Sequence, residues 1–176
     1  MKRKFILILL MFLLVLFSGL KVSTGENALS LASDFSLIDF QGKKFTLSDE
    51  LKNSKAILLW FTNLCKGCLE KIPEMEKMKN LYKEKGIEVV AVSVLGEDRK
   101  TVEDIIQKKA VTFRFLFDPK GEVTQLFSGE HIPDTCPLKN LFIIDKDRKI
   151  IFDGRYPGTV EDEIEYFLNK FIGGER

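Results

Sequence analysis

Three cysteines and one histidine are the residues most able to do covalent or metal chemistry in this 176-residue chain. Two of them, Cys65 and Cys68, stand a helical turn apart in the segment Trp60-Phe61-Thr62-Asn63-Leu64-Cys65-Lys66-Gly67-Cys68. Thiols at that spacing can form and break a bond with each other and exchange it with an outside disulfide. The attacking species is the thiolate, yet a thiol of pKa near 8.5 is only about 3% ionised at pH 7. The first turn of a helix offers unpaired N–H groups and a partial positive charge worth roughly 0.3–2 kcal/mol to an anion. Lys66 adds positive potential in the same direction. The expectation is therefore a low-pKa, attacking Cys65 and a more buried, resolving Cys68. A purely structural bridge would close too short a loop to restrain the unfolded chain much. A zinc site would need Cys136, His131 or carboxylates to complete it. Neither is adopted, and no metal or cofactor is assigned.

Such a pair needs a strand to deliver it and a helix to hold it. Ala56 to Phe61 is an unbroken apolar run, the mark of a strand buried on both faces. From Cys65 to about Glu84, the apolar residues Leu69, Ile72, Met75, Met78 and Leu81 recur at helical spacing, Pro73 is tolerated at a kink, and Gly86 ends the helix. Ahead of this unit, Asp34–Leu37 and Lys44–Leu47 flank the turn Gln41-Gly42 and read as an edge hairpin. Beyond it come a strand at Ile87–Val94, a helix at Thr101–Ala110, a strand at Phe113–Phe117 and a short helix at Glu122–Phe127. A hairpin follows, Leu141–Ile144 with Lys149–Phe152 around Lys146-Asp147, and a last helix at Val160–Phe171. Strand–helix alternation closed by a hairpin and a helix implies a mixed sheet between layers of helices.

The chain's two ends differ in character. Lys2-Arg3-Lys4 precedes sixteen uncharged residues, Phe5 to Leu20, which read as an export segment. Its length lies between a signal-peptide core and the roughly 20 residues that span a bilayer. Residues 1–25 are thus an uncleaved signal anchor or a cleaved signal peptide, and residues 26–176 one domain. The leading cations predict the domain outside the cytoplasm, where disulfides persist. No Cys occurs before position 65, so a lipid-modified N-terminal Cys is excluded. The formal net charge is +1, and residues 1–25 hold four cations and no acid, leaving −3 on the remainder. That balance argues against a nucleic-acid partner. With 45% hydrophobic and 30% charged residues, a packed core is expected rather than disorder.

From Ala32 to Gly158 the chain resembles the thioredoxin-fold redoxins, specifically the membrane-tethered TlpA/ResA-like thiol-disulfide oxidoreductases of the AhpC/TSA group. The resemblance is carried by Ser33–Leu37, Gly42–Ser48, Trp60-Phe61 with Cys65-x-x-Cys68, Pro73, Val89–Ser93, Phe117–Gly121 and Phe142–Asp145. It implies an α/β fold of the thioredoxin-like three-layer α/β/α kind. This has a mixed central sheet, an N-terminal hairpin extension and an N-terminal hydrophobic helix. It implies two-electron exchange with protein dithiols and disulfides, reduction of apocytochrome c cysteines, a membrane thiol electron donor, an N-terminal membrane anchor and a monomer. Departures from the family pattern are local. The acid expected three residues after the second Cys is replaced by Lys71, with Glu70 beside it. Leu59 stands where thioredoxins carry a buried acid, and Lys66-Gly67 lacks the common proline. The cis-proline slot before the Phe142 strand falls on Lys139, which leaves Pro137, or alternatively Pro133, for that role.

With Pro137 cis, Cys136 would lie over the active-site sulfur as a third redox thiol; otherwise it is a small, partly buried thiol. His131 is either an exposed loop residue or, with Cys65 and Cys68, a copper site of a delivery protein. Thr62 precedes Cys65 as a threonine precedes the peroxidatic Cys of peroxiredoxins, which keeps an antioxidant thiol peroxidase as an alternative. Trp60 and Phe61 are expected in the core, with an edge of Trp60 under the disulfide.

Overall fold

The computed structural model describes residues 30–95, 98–129, 132, 135–158 and 161–174. The N-terminal apolar segment, His131 and Pro133 lie outside the described residues. Seven strands form one mixed sheet: β1 (Ser36–Asp39), β2 (Lys44–Thr46), β3 (Ala56–Thr62), β4 (Ile87–Ser93), β5 (Arg114–Phe117), β6 (Leu141–Asp145) and β7 (Ile150–Gly154). Their spatial order is β2-β1-β5-β4-β3-β6-β7. The central β3–β4 and β4–β5 pairs are parallel, whereas β6, β7, β1 and β2 join antiparallel. The helices are α1 (Leu47–Glu50), α2 (Lys66–Tyr82), α3 (Arg99–Lys108), α4 (Glu122–Ser128) and α5 (Glu161–Ile172). The expected three-layer thioredoxin-like fold with its hairpin extension is what the chain adopts.

All seven residues of β3 are buried. Their parity divides the core, because successive side chains point to opposite faces. Ala56, Leu58 and Trp60 pack with residues of α2, α3 and α5, while Ile57, Leu59 and Phe61 pack with α1, α4 and Phe35. Each large side chain so buried contributes about 1.5–3 kcal/mol relative to exposure. Thr62 shares the parity of Trp60, so its hydroxyl is presented on the α2 face.

Helix α2 buries Cys68, Ile72, Met75, Met78 and Tyr82. The expected stripe ran instead through Leu69 and Leu81, but Leu69 is only partly buried and Leu81 is 45% exposed. The reason is geometric: a strict spacing of three drifts around a helix of 3.6 residues per turn, whereas steps of four, three, three and four stay on one face. Pro73 lies on the exposed face. A short 3₁₀ turn, Lys83–Lys85, follows α2, and Gly86 closes it at φ 85° in the left-handed region. The α3 helix starts at Arg99, ahead of the expected Thr101, because Asp98 caps it by accepting from the Thr101 N–H at 3.1 Å. Among the described residues no helix is long and apolar enough to cross a membrane.

Candidate active site

The chain leaves β3 at Thr62 and enters α2 at Lys66, with Cys65 as the N-cap residue. A three-residue connection this short needs a sharp reversal. It is made at Leu64, whose φ of 57° lies in the left-handed region that costs a branched residue roughly 1–2 kcal/mol. Two side chains hold the turn. Thr62 Oγ1 accepts from the Leu64 N–H at 3.0 Å, and Asn63 Oδ1 accepts from the Cys65 N–H at 3.2 Å. Leu64 itself is buried, 5% exposed, which anchors the strained residue in the core.

The result is an exposed Cys65 beside a fully buried Cys68, with their sulfurs 3.3 Å apart. Closing that distance to the roughly 2.05 Å of a disulfide takes little movement. No acid occupies the first turn of α2, so the helix amides face the thiols without a competing negative charge. The sequence places Lys66, Gly67 and Glu70 on this turn and the next. Lys66 and Glu70 are exposed, and Gly67 is half-buried. A Cβ added to Gly67 would meet Pro157 Cγ at 3.4 Å.

Cys136 arrives from the segment between α4 and β6 and completes a cluster. Its sulfur lies 3.3 Å from Cys68 Sγ, as near as Cys65 does, and donates to Asn63 Oδ1 at 2.6 Å. All three sulfurs fall within 4.8 Å of one another. Hydrogen bonding to Cys136, then burial, pushes the Cys68 thiol up, with Thr62 pulling weakly the other way. The same bond lowers the Cys136 thiol to about 6, helped by Asn63. Of the two, Cys68 is therefore the harder thiol to ionise and Cys136 the easier.

Cys136 reaches this position without a cis bond to Pro137. Among the described residues the cis peptide is Tyr156–Pro157, which corrects the expectation for Pro137; Pro133 lies outside the described residues. The site instead recruits the turn after β7. Tyr156 is buried edge-on against Trp60, 5.7 Å between ring centroids, and its hydroxyl donates to Glu74 at 2.7 Å. Burial and that bond push the Tyr156 hydroxyl up. Lys71, in the slot where the family carries an acid, pairs with Glu74 at 2.8 Å and Glu161 at 2.6 Å. Hydrogen bonds from Glu74 and Lys71 hold Glu161 down at about 2. Trp60 is fully buried in the cluster that contains Cys68, and its Nε1 has no hydrogen-bond partner among the described residues.

Asn140, Tyr156 and Glu74 were not singled out by spacing. The only local signal is a polar Asn directly abutting an all-apolar strand; the rest depends on contacts some 80 residues apart in sequence. Asn140 is fully buried and bonds Phe61 O, Tyr156 O and the Tyr156 N–H.

An AhpC/TSA family model matches residues 29–152. The chain belongs to the AhpC/TSA family. Within it, the chain is similar to the thiol-disulfide oxidoreductase ResA of Bacillus subtilis, 30% identical over 88% of this chain and 83% of the relative. ResA of Bacillus thuringiensis is likewise 30% identical, over 79% and 75%. Among solved structures, peroxidoxin BcpB of Mycobacterium tuberculosis superposes with a TM-score of 0.67 at 21% identity, covering 84% of this chain and 96% of that one. That last likeness concerns the fold alone. The family member described here is a thiol-disulfide oxidoreductase.

Proposed function

We propose that the chain is an exported, membrane-tethered oxidoreductase that passes two electrons from Cys65 and Cys68 to disulfides in partner proteins. The observation that carries this reading is the exposed Cys65 sulfur 3.3 Å from a fully buried Cys68 at the mouth of α2. Cys65 thiolate attacks one sulfur of a substrate disulfide, forms the mixed disulfide and expels one substrate thiolate. Cys68 then loses its proton and attacks Cys65 Sγ. The Cys65–Cys68 bond forms, the second substrate thiol leaves, and the substrate has gained two electrons. An outer attacker meets Cys65 first because Cys68 is walled in. Residues 1–25, a basic triplet before sixteen uncharged residues, supply the tether or export signal. A membrane thiol carrier then re-reduces the pair, and the haem-attachment cysteines of apocytochrome c are the substrate, in keeping with the similarity to ResA.

The test is reduction of insulin and of a peptide carrying an oxidised Cys-x-x-Cys-His segment, with dithiothreitol as electron source. Wild type is expected to reduce both and Cys65→Ser neither. An inactive wild type, or a Cys65→Ser variant as fast as wild type, refutes the exchange. Preference for insulin over the peptide refutes the apocytochrome assignment. Protease accessibility of the domain in intact cells against opened cells tests the export.

A further inference from the structure

Cys136 sits against the exchange pair without an assigned task. Two kinds of chemistry fit a third thiol here, and the angles separate them. In a relay, Cys136 would attack Cys68 while Cys65 leaves, and thiol–disulfide exchange wants those three sulfurs nearly in line. Instead, both outer sulfurs lie 3.3 Å from Cys68 and no more than 4.8 Å from each other, so they subtend roughly a right angle or less at Cys68. The sulfurs form a compact triangle, not a row.

A compact triangle of sulfurs is the geometry of a chelate. With two sides of 3.3 Å and a third of at most 4.8 Å, the point equidistant from all three sulfurs lies no more than about 2.4 Å from each, against a metal–thiolate bond of about 2.3 Å. A cation at or slightly above the sulfur plane therefore reaches all three with little rearrangement. The donors come from two segments 68 residues apart, one of them fully buried, so the cluster is built by the fold rather than by a flexible loop.

We propose that Cys65, Cys68 and Cys136 form a three-thiolate site for a closed-shell soft cation, Cu(I) or Zn(II). An all-sulfur donor set selects these two ions over harder cations. Binding displaces the thiol protons to solvent and changes no oxidation state. Cys65, the exposed ligand, leaves one side open to a water or to an incoming thiol that could take the ion away. The site goes beyond the proposed exchange: a bound cation occupies Cys65 and so switches electron transfer off.

The reduced, metal-free, full-length protein is titrated without oxygen, with Cu(I) against a coloured competing chelator and separately with Zn(II). Metal-edge X-ray absorption then counts the sulfurs around the bound ion. One equivalent held by three sulfurs is expected. The Cu(I) sample is expected to show three sulfurs alone and the Zn(II) sample three sulfurs with one oxygen, and the ion retained when both compete for the protein is the occupant. Cys136→Ser and Cys136→Ala are each expected to weaken binding at least about a hundredfold, since removing even an outer-shell partner costs 10–100-fold. Less than half an equivalent bound by wild type, a two-sulfur shell, or undiminished affinity in Cys136 variants that melt like wild type overturns the site. The wild-type sulfur count decides the matter even where a variant fails to fold. Insulin reduction by the same metal-free wild type is measured in parallel. Active protein that binds no metal removes this site alone, and inactive protein that binds metal removes the exchange alone. Metal-loaded protein that reduces insulin at the metal-free rate also refutes the assignment of Cys65.

Discussion

Asn140 braces the turn that covers one side of the thiol site, although it touches no sulfur. It is fully buried, donates to Phe61 O at 3.1 Å and Tyr156 O at 2.7 Å, and accepts from the Tyr156 N–H at 2.6 Å. One carboxamide thus ties the end of β3 to the turn carrying Tyr156 and Pro157. That turn in turn covers Trp60 and meets the first turn of α2 at Gly67. Asn140→Ala strips three backbone groups of a partner at once. A buried group left unpaired costs about 1–3 kcal/mol, so the low end of the range already gives a loss of about 3 kcal/mol. For a domain of this size that is a fall in Tm of about 6–12 °C. The assay is reversible urea unfolding under reducing conditions, where an unchanged slope makes the shift in midpoint a direct measure of lost stability.

The Asn140→Asp variant sharpens the test. Its carboxylate can still accept from the Tyr156 N–H, but it places a buried negative charge against two carbonyl oxygens. Burial and the two facing carbonyl oxygens outweigh that one bond and raise its folded pKa above the unfolded value of about 3.9. The folded state then holds a proton that the unfolded state gives up, so the penalty is least below about pH 4 and grows as the pH rises toward the folded pKa. An Asn140→Ala variant within about 1 kcal/mol of wild type at equal slope would refute the reasoning, because packing alone would then hold the Tyr156 turn.

Two further outcomes follow from the same geometry. In Cys65→Ser, mild oxidation is expected to give an internal Cys68–Cys136 disulfide, since those sulfurs are 3.3 Å apart and both remain; mass mapping that finds only reduced or intermolecular species contradicts it. Gly67→Ala is expected to fold as well as wild type or to gain as much as about 1 kcal/mol, because alanine favours helix over glycine. The new methyl would make only ordinary contact with Pro157 Cγ at 3.4 Å, and a loss beyond about 1 kcal/mol by thermal melting would show that contact to be a clash.

Much of the scaffold could be read from residue order because it rests on short-range periodicity. The apolar run Ala56–Phe61 could only be a strand covered on both faces, and its parity fixes which way Thr62 points. Cys65 at the N-cap follows from the strand's exit and the charged, periodic residues behind it. The finer face of α2 is hard to read because Leu69 and Leu81 look like core residues, while the stripe through Cys68 and Tyr82 is recognisable only when the 3.6 period is kept. What stayed hidden is long-range. The family slot before β6 points to Pro137, yet the cis bond among the described residues is at Pro157, beyond the hairpin. Lys71 looked like a missing acid. The partners that give it meaning, Glu74 one turn on and Glu161 at the start of α5, meet only in the folded chain.

That exchange of Lys71 for an acid bears directly on the thiols. A carboxylate in its place would join Glu74 and Glu161 in a negative patch on the flank of α2. With Lys71 between them, the two acids are paired, Glu74 is also engaged by the Tyr156 hydroxyl, and the first turn of the helix carries no acid. An anion on Cys65 therefore faces helix amides rather than a competing carboxylate. Cys68 finds its hydrogen-bond partner in Cys136, a thiol that is itself drawn toward the anion at about 6. Beside the exchange pair the chain thus carries a third sulfur. That sulfur both pushes the Cys68 thiol up and places a third soft donor where a cation can use it.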